Sequence, residues 1–275
     1  MNQQTDQRTQ DGGGPGSEAV SMPTSSSSWS IAAAAVLSAA VLAVSVYAGS
    51  VVLAGAFLLV SALLVVGWPV LFGLQRERSS ILVLGIGAVA LAVVVGRSGS
   101  ADGIRWVTAA LAISLALVFL QSLVSRGGRE NVVVALAGMT MGLGVLASGA
   151  FVADAALRPG GREAVVAALS AAAAGAVIDA LLLRRPTLRE WGLPLSLVIG
   201  IAAGVLTARV ADVAWNAPLV AGLLGAGVAH SLWTILRGLP DQAGSVRASL
   251  SMGAAGVLFA GVLPTAAVWL FEHLN

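Results

Sequence analysis

Residues Val51–Leu74 read VVLAGAFLLVSALLVVGWPVLFGL, a stretch with no charge and a single hydroxyl at Ser61. A helix rises about 1.5 Å per residue, so about 20 apolar residues cross a hydrocarbon core about 30 Å thick. A helix on the surface of a water-soluble protein shows a polar face at a period of 3.6, and this stretch has none. It also lacks the in–out alternation of a membrane barrel strand. Unpaired backbone is prohibitive in hydrocarbon, so the stretch must be a membrane-crossing helix.

Similar runs occur on both sides of it. The first spans Trp29–Ala48, and after Val51–Leu74 come Ile81–Gly96, Trp106–Val124, Val132–Ala156 and Ala164–Leu183. Leu193–Val213, Ala217–Leu236 and Ala248–Leu270 complete the set. The sequence therefore predicts an all-α, polytopic transmembrane helix bundle of about nine spans. The composition agrees: 57% of the 275 residues are hydrophobic and 10% charged, against about 25% charged in soluble domains. Ala48-Gly49-Ser50 is so short a connection that the first two spans must form a hairpin.

Two segments emerge, a polar tail over 1–28 and a transmembrane domain over 29–275. The tail, with Gly12-Gly13-Gly14 and the serine run Ser25–Ser28, has nothing with which to build a core and reads as disordered. Val46-Tyr47-Ala48 resembles a signal-peptide cleavage site. However, Asp6, Asp11 and Glu18 against Arg8 make the tail acidic, the reverse of a basic n-region.

The 15 basic residues are all arginine, which alongside abundant Ala, Gly and Val reads as codon bias in a GC-rich genome. With a formal net charge of +2 and no basic cluster interleaved with aromatics, nucleic acid is not an expected partner. Their distribution orients the chain. With nine spans, Arg8, Arg76, Arg78, Arg126, Arg129, Arg184, Arg185, Arg189, Arg237 and Arg247 share the tail's side. Arg97, Arg105, Arg158 and Arg162 lie on the other. The excess places the N-terminus in the cytoplasm and the C-terminus outside.

An internal match runs through the spans. Arg76-Glu77 with Leu82, Leu84, Ile86, Gly87 and Ala90 matches Arg189-Glu190 with Leu195, Leu197, Ile199, Gly200 and Ala203. Thr140-Met141-Gly142 matches Ser251-Met252-Gly253 at nearly the same offset. The pattern suggests a tandem four-helix unit whose copies point the same way. Chance matching among Ala, Val, Leu and Gly competes with that reading.

An ionisable group at mid-span costs about 2.5–3.5 kcal/mol on insertion scales, so such groups are the candidates for substrate or coupling roles. They are Asp154, Asp179, Arg209, Asp212 and His230. Arg209 and Asp212 are three apart, nearly one helical turn, and can pair. Asp154 lies at the same level, so the three are expected to converge, either as a structural salt bridge or as a solute contact. Asp179 is expected to pair with Arg184 or Arg185. His230 lies inside the eighth span; an imidazole ordinarily titrates near neutrality and could relay protons, or simply bind a neighbouring helix.

Gly200/Gly204 and Gly138/Gly142 form GxxxG spacings that permit close helix contact. Pro69 and Pro264 are positioned to kink or end their spans. Trp29, Trp68, Trp106, Trp191, Trp215 and Trp269 fall near span ends, as an interfacial belt requires, and Trp233 lies further in.

The chain has no cysteine and two histidines, His230 and His273. Thiolate chemistry and a multi-histidine metal site are therefore not expected. No Walker A loop, HExxH or GxSxG is present, and the loop carboxylates are single. No catalytic residue and no cofactor are assigned.

Gly67-Trp68-Pro69-Val70-Leu71-Phe72-Gly73-Leu74, followed by Arg76 and a Gly/Ala-rich span, resembles uncharacterised actinobacterial multi-pass membrane proteins. That resemblance implies a plasma-membrane location and carries over no functional residue. The lipid bilayer is one partner; a membrane-protein partner or a homo-oligomer is the other open expectation. Two functions remain: a permease-like carrier of small solutes or lipids, which nine packed spans with internal charge favour, and a non-catalytic scaffold or accessory subunit of a cell-envelope complex.

Overall fold

The computed structural model describes residues 25–74, 76–97, 103–124, 129–183, 186–239 and 245–274. All regular structure among them is helical. Helix α1 covers Ser25–Ala48, α2 Ser50–Leu71, α3 Glu77–Gly96, α4 Gly103–Val124, α5 Arg129–Ala150 and α6 Val152–Leu157. A 3-10 segment, Pro186–Trp191, links α7 (Gly161–Leu182) to α8 (Gly192–Ala211). Helices α9 (Asn216–Arg237), α10 (Val246–Phe259) and α11 (Val262–Leu274) follow. Nine helical segments of the described residues are long and apolar enough to cross a membrane, α5 with α6 and α10 with α11 each making one.

The expected tail, residues 1–28, lies mostly outside the described residues. Helix α1 starts at Ser25, inside the serine run, and Ser28 is already buried. Serine suits a first helical turn because its hydroxyl can satisfy amides that lack intrahelical partners. The α1–α2 hairpin turns at Gly49, whose φ of 102° with ψ of 166° is open to glycine alone. Pro69 does not kink α2. It sits in the last turn, and the helix ends two residues later.

The fifth and ninth spans are broken, where the sequence suggested single helices. The break before α11 falls at Ala260–Gly261, one turn before Pro264, which has no amide for the Ala260 carbonyl and whose ring would crowd it. The break at Phe151 follows the Ser148-Gly149 pair, the kind of sequence at which helices bend. The two breaks meet. Ser148 Oγ donates to the Phe259 carbonyl at 2.7 Å, and Thr265 Oγ1 donates to the Phe151 carbonyl at 3.0 Å. Carbonyls released by each break are thus capped by the other helix, as hydrocarbon requires.

Helix α7 is the most widely packed, against α1, α8 and α9 above all, and α1 in turn packs against α2 and α10. Helix α3 flanks α2, as α8 flanks α7, and α5 meets α10. These neighbour relations agree with the internal sequence match only in part: α3 packs on α5, whereas α8 and α10 do not pack on each other. They diverge at α9, which packs closely along both α7 and α8, whereas α4 packs on α3 and α5. Helices α4 and α8 are the least enclosed, and their outward leucines, isoleucines and valines, such as Ile113, Leu123, Val198 and Val210, face where lipid would be.

Two of the GxxxG spacings work differently. On α8, a Cβ at Gly200 would lie 2.5 Å from the Gly222 carbonyl oxygen, and one at Gly204 would lie 2.5 Å from that of Pro218. The α8 and α9 backbones therefore touch directly. On α5, Gly138 and Gly142 make room for aromatic rings instead, those of Phe72 and Trp68. Trp68 is consequently not part of the interfacial belt. It is fully buried, and its indole N–H donates to the Gly138 carbonyl at 2.7 Å. Trp233 is also fully buried and donates to the Met252 carbonyl at 2.8 Å. Trp29, Trp106, Trp191, Trp215 and Trp269 are exposed near helix ends, as an interfacial belt requires.

Candidate functional site

Consecutive spans alternate in direction, so the ends of α7 and α9 and the start of α8 lie on one face, with the start of α1. This is the tail face. There, α7 places Asp179 one turn before its end. Helix α9 places His230 and Arg237 seven residues apart, on one side of its last two turns. Helix α8 opposes them with Gly192, which has no side chain. A Cβ on Gly192 would lie 2.9 Å from Cε1 of His230, so the missing side chain is what admits the imidazole.

Asp179 is 3% exposed. A buried carboxylate must be paired and hydrogen-bonded to persist in such surroundings. Its Oδ1 and Oδ2 lie 2.9 and 3.1 Å from Nδ1 of His230. Nη1 of Arg237 lies 3.6 Å from Oδ2, close enough for charge pairing. An ionised carboxylate only accepts hydrogen bonds, so Nδ1 of His230 is the donor in this contact. A cleft of about 130 Å³ opens beside these groups, lined also by Leu182, Leu183 and Thr234.

One turn deeper on α8 is Ser196. Its hydroxyl is wholly buried and has no hydrogen-bond partner. It faces the bare backbone of Gly175, itself one turn deeper than Asp179 on α7. An unsatisfied hydroxyl costs about 1–3 kcal/mol, so its presence at this depth calls for a reason.

Ends of the same three helices border a second, wider cleft of about 430 Å³ on the opposite face. Pro159 and Gly160 before α7, Val213 after α8, and Asn216 and Pro218 on α9 line it with Phe271 of α11. Glu272 stands at its edge. Arg158 ties this rim together: its Nε donates to Asp154 at 3.1 Å and its Nη1 to Glu272 at 2.8 Å. Burial works against the Arg158 guanidinium, but the Asp154 and Glu272 carboxylates outweigh it and hold its pKa above the ordinary arginine value.

The candidate residues thus divide into three groups. Asp179 and His230 come together, though they are 51 positions apart in sequence. Arg184 and Arg185, the expected partners of Asp179, lie outside the described residues. Asp154 belongs to the opposite rim. Arg209 and Asp212 do not form the expected pair with each other or with Asp154: no ion pair joins them among the described residues. The helix has ended at Asp212, which takes a left-handed conformation (φ 52°, ψ 45°) as the cap of α8, so the one-turn relation to Arg209 is lost. Both side chains are exposed.

Sequence reasoning missed Arg237, Gly192 and Ser196. The seven-residue spacing of His230 and Arg237 carried a readable signal; Gly192 and Ser196 acquire their meaning only from the packing of α8 on α7 and α9. Among the described residues, no group of three His, Asp or Glu is placed to hold a metal ion. No protein-family model, curated protein or solved structure matches the chain.

Proposed function

We propose that this protein is a permease of small solutes, and that the α7–α8–α9 trio is its translocating unit. The tail face is taken as cytoplasmic from the arginine excess, and the membrane as the plasma membrane from the resemblance to actinobacterial multi-pass proteins. The observation that carries the reading is Ser196, an unsatisfied buried hydroxyl one turn below a cleft that holds a carboxylate, an imidazole and a guanidinium. Ser38 and Ser61 are likewise buried without a hydrogen-bond partner, on α1 and α2; what sets Ser196 apart is its place one turn below the charged cleft. A permease needs polar groups along its path and access from both faces. The second cleft, at the other end of the same trio, supplies the opposite mouth.

The chain contains no cysteine, so Ser196→Cys creates a single reporter in the native background. A membrane-impermeant maleimide should label it from the tail face in one set of vesicles and from the opposite face in vesicles of inverted orientation. Protection from both sides would exclude a path through this position and favour the scaffold reading. Labelling from the tail face alone would mean a one-sided pocket and would also overturn the permease.

A further inference from the structure

Among the described residues, no basic side chain lines the cleft on the face opposite the tail face. Its polar side chains are Asn216 and Glu272, and Val213, Pro218, Val268 and Phe271 give it apolar walls. Arg158 engages one oxygen of Glu272, Oε2, and one of Asp154, Oδ2. This hydrogen-bonded trio has two carboxylates to one guanidinium, an excess of one negative charge. Among the described residues, no hydrogen bond reaches the other Glu272 oxygen, Oε1. The remaining ionised residues at these helix ends come in pairs of opposite sign, Arg162 with Glu163 at the start of α7 and Arg209 with Asp212 at the end of α8. His273 turns back onto its own helix, with Nδ1 2.8 Å from the Trp269 carbonyl. Helices α7 and α9 start beside the cleft while α8 and α11 end there, so their dipoles offset one another. Trp215 and Trp269, exposed next to Asn216 and Val268, place the cleft at the depth of the interfacial belt.

We infer that this cleft binds a primary ammonium group on a small apolar body. The ammonium donates to Oε1 of Glu272 and to the side-chain oxygen of Asn216, and the body packs against Val213, Pro218, Val268 and Phe271. A charge-assisted hydrogen bond to a carboxylate is among the strong polar contacts, and an ammonium offers three donors to a site made of acceptors. An anion would meet the Glu272 carboxylate with the nearest guanidinium, that of Arg158, already held by two acids. A bare metal ion would leave the apolar walls uncovered, and among the described residues no group of three His, Asp or Glu gathers to hold one. The volume of about 430 Å³ lies within the roughly 300–1,000 Å³ of small-molecule sites and exceeds the roughly 150 Å³ that holds benzene. A single ring or short chain bearing an amine therefore fits. At this depth the ammonium has two sources, a free amine from solution and the ethanolamine headgroup of a phospholipid. The inference names the solute class at the second mouth and rests on the permease reading only for the claim that the amine is then carried across.

The test uses the purified full chain in a non-ionic detergent at about pH 7, where a lysine-like amine is charged, with phenethylamine as the probe and calorimetric titration as the readout. Phenethyl alcohol, uncharged, and hydrocinnamate, anionic, have nearly the same body and should bind at least about tenfold more weakly. Glu272→Gln keeps the shape and removes the charge; affinity for the amine should fall about tenfold or more. Arg158→Gln releases the carboxylate, so affinity for the amine should hold or rise, whereas an anion site would lose its ligand. Ala214→Trp is an independent check should the charge variants not fold. Ala214 is exposed where it lines the cleft, so an indole there fills the space without entering the core, and binding should be lost. Titrations in nanodiscs separate the sources. Competition by phosphatidylethanolamine but not by phosphatidylcholine identifies the headgroup, and no competition by either identifies the free amine. Four results would each overturn the proposal: no binding of phenethylamine; equal binding of the alcohol or the carboxylate; unchanged affinity in Glu272→Gln or Ala214→Trp; or equal competition by the two lipids. Labelling of Ser196→Cys is independent of these outcomes. Two-sided labelling with no amine binding leaves a permease with a different cargo. Amine binding with Ser196→Cys protected leaves a binding site without transport.

Discussion

Asp179 and Arg209 are both ionisable residues on apolar helices, and they sit in opposite surroundings. Asp179 is enclosed by His230, Arg237 and Leu182, while Arg209 is exposed near the end of α8. Removing one member of a buried charge pair leaves the others uncompensated, at a cost of about 3–5 kcal/mol. Asp179→Ala should therefore lower the melting temperature in detergent markedly, whereas Arg209→Ala should leave it almost unchanged. Equal effects would mean that the enclosure of Asp179 is wrong. A second contrast is conformational. Asp212 holds a left-handed backbone, which costs an ordinary L-residue about 1–2 kcal/mol. Asp212→Gly should be neutral or stabilising and Asp212→Val destabilising, as thermal unfolding of the two variants would show. The sequence identified Asp179 and His230 as candidates because charge and imidazole are rare in spans. It could not pair them, because the contact depends on how α7 and α9 face each other.

Among elements, the α8–α9 seam and the paired breaks define how the bundle is held. Gly200 and Gly204 bring α8 onto the backbone of α9 at Gly222 and Pro218. Gly222→Ala should wedge the helices apart and destabilise by about 1–3 kcal/mol. Gly85 on α3 has open space where its Cβ would stand, so Gly85→Ala should be neutral or slightly stabilising through helix propensity. Thermal unfolding of the two single variants checks the pair. The spacing of these glycines was visible in sequence, but the identity of the neighbour was not. The same GxxxG spacing at Gly138 and Gly142 accepts tryptophan and phenylalanine rings rather than a backbone. The broken spans show a similar division. Pro264 announced the break at Ala260–Gly261, whereas the break at Phe151 follows only a Ser-Gly pair, whose effect depends on the facing carbonyls of α10 and the hydroxyl of Thr265.

At the scale of the whole molecule, the number and order of spans were legible because hydrocarbon imposes a length and an apolar composition on every crossing helix. The span limits moved by only a few residues: α3, for instance, gains one turn at Glu77, whose carboxylate suits a helix start. What the sequence could not place is the pair of clefts, because each depends on how the ends of α7, α8 and α9 face one another. Their position at the two ends of one helix trio is the central feature of the account. If that trio translocates, α9 must rock against α7, opening one mouth as the other closes. The direct measurement is a pair of spin-label distances in the reconstituted protein, one between Leu183→Cys and Thr234→Cys on the tail face, the other between Arg162→Cys and Asn216→Cys on the opposite face. Two populations are expected at each end, related so that one distance lengthens as the other shortens. A single, unchanging distance at both ends would contradict it.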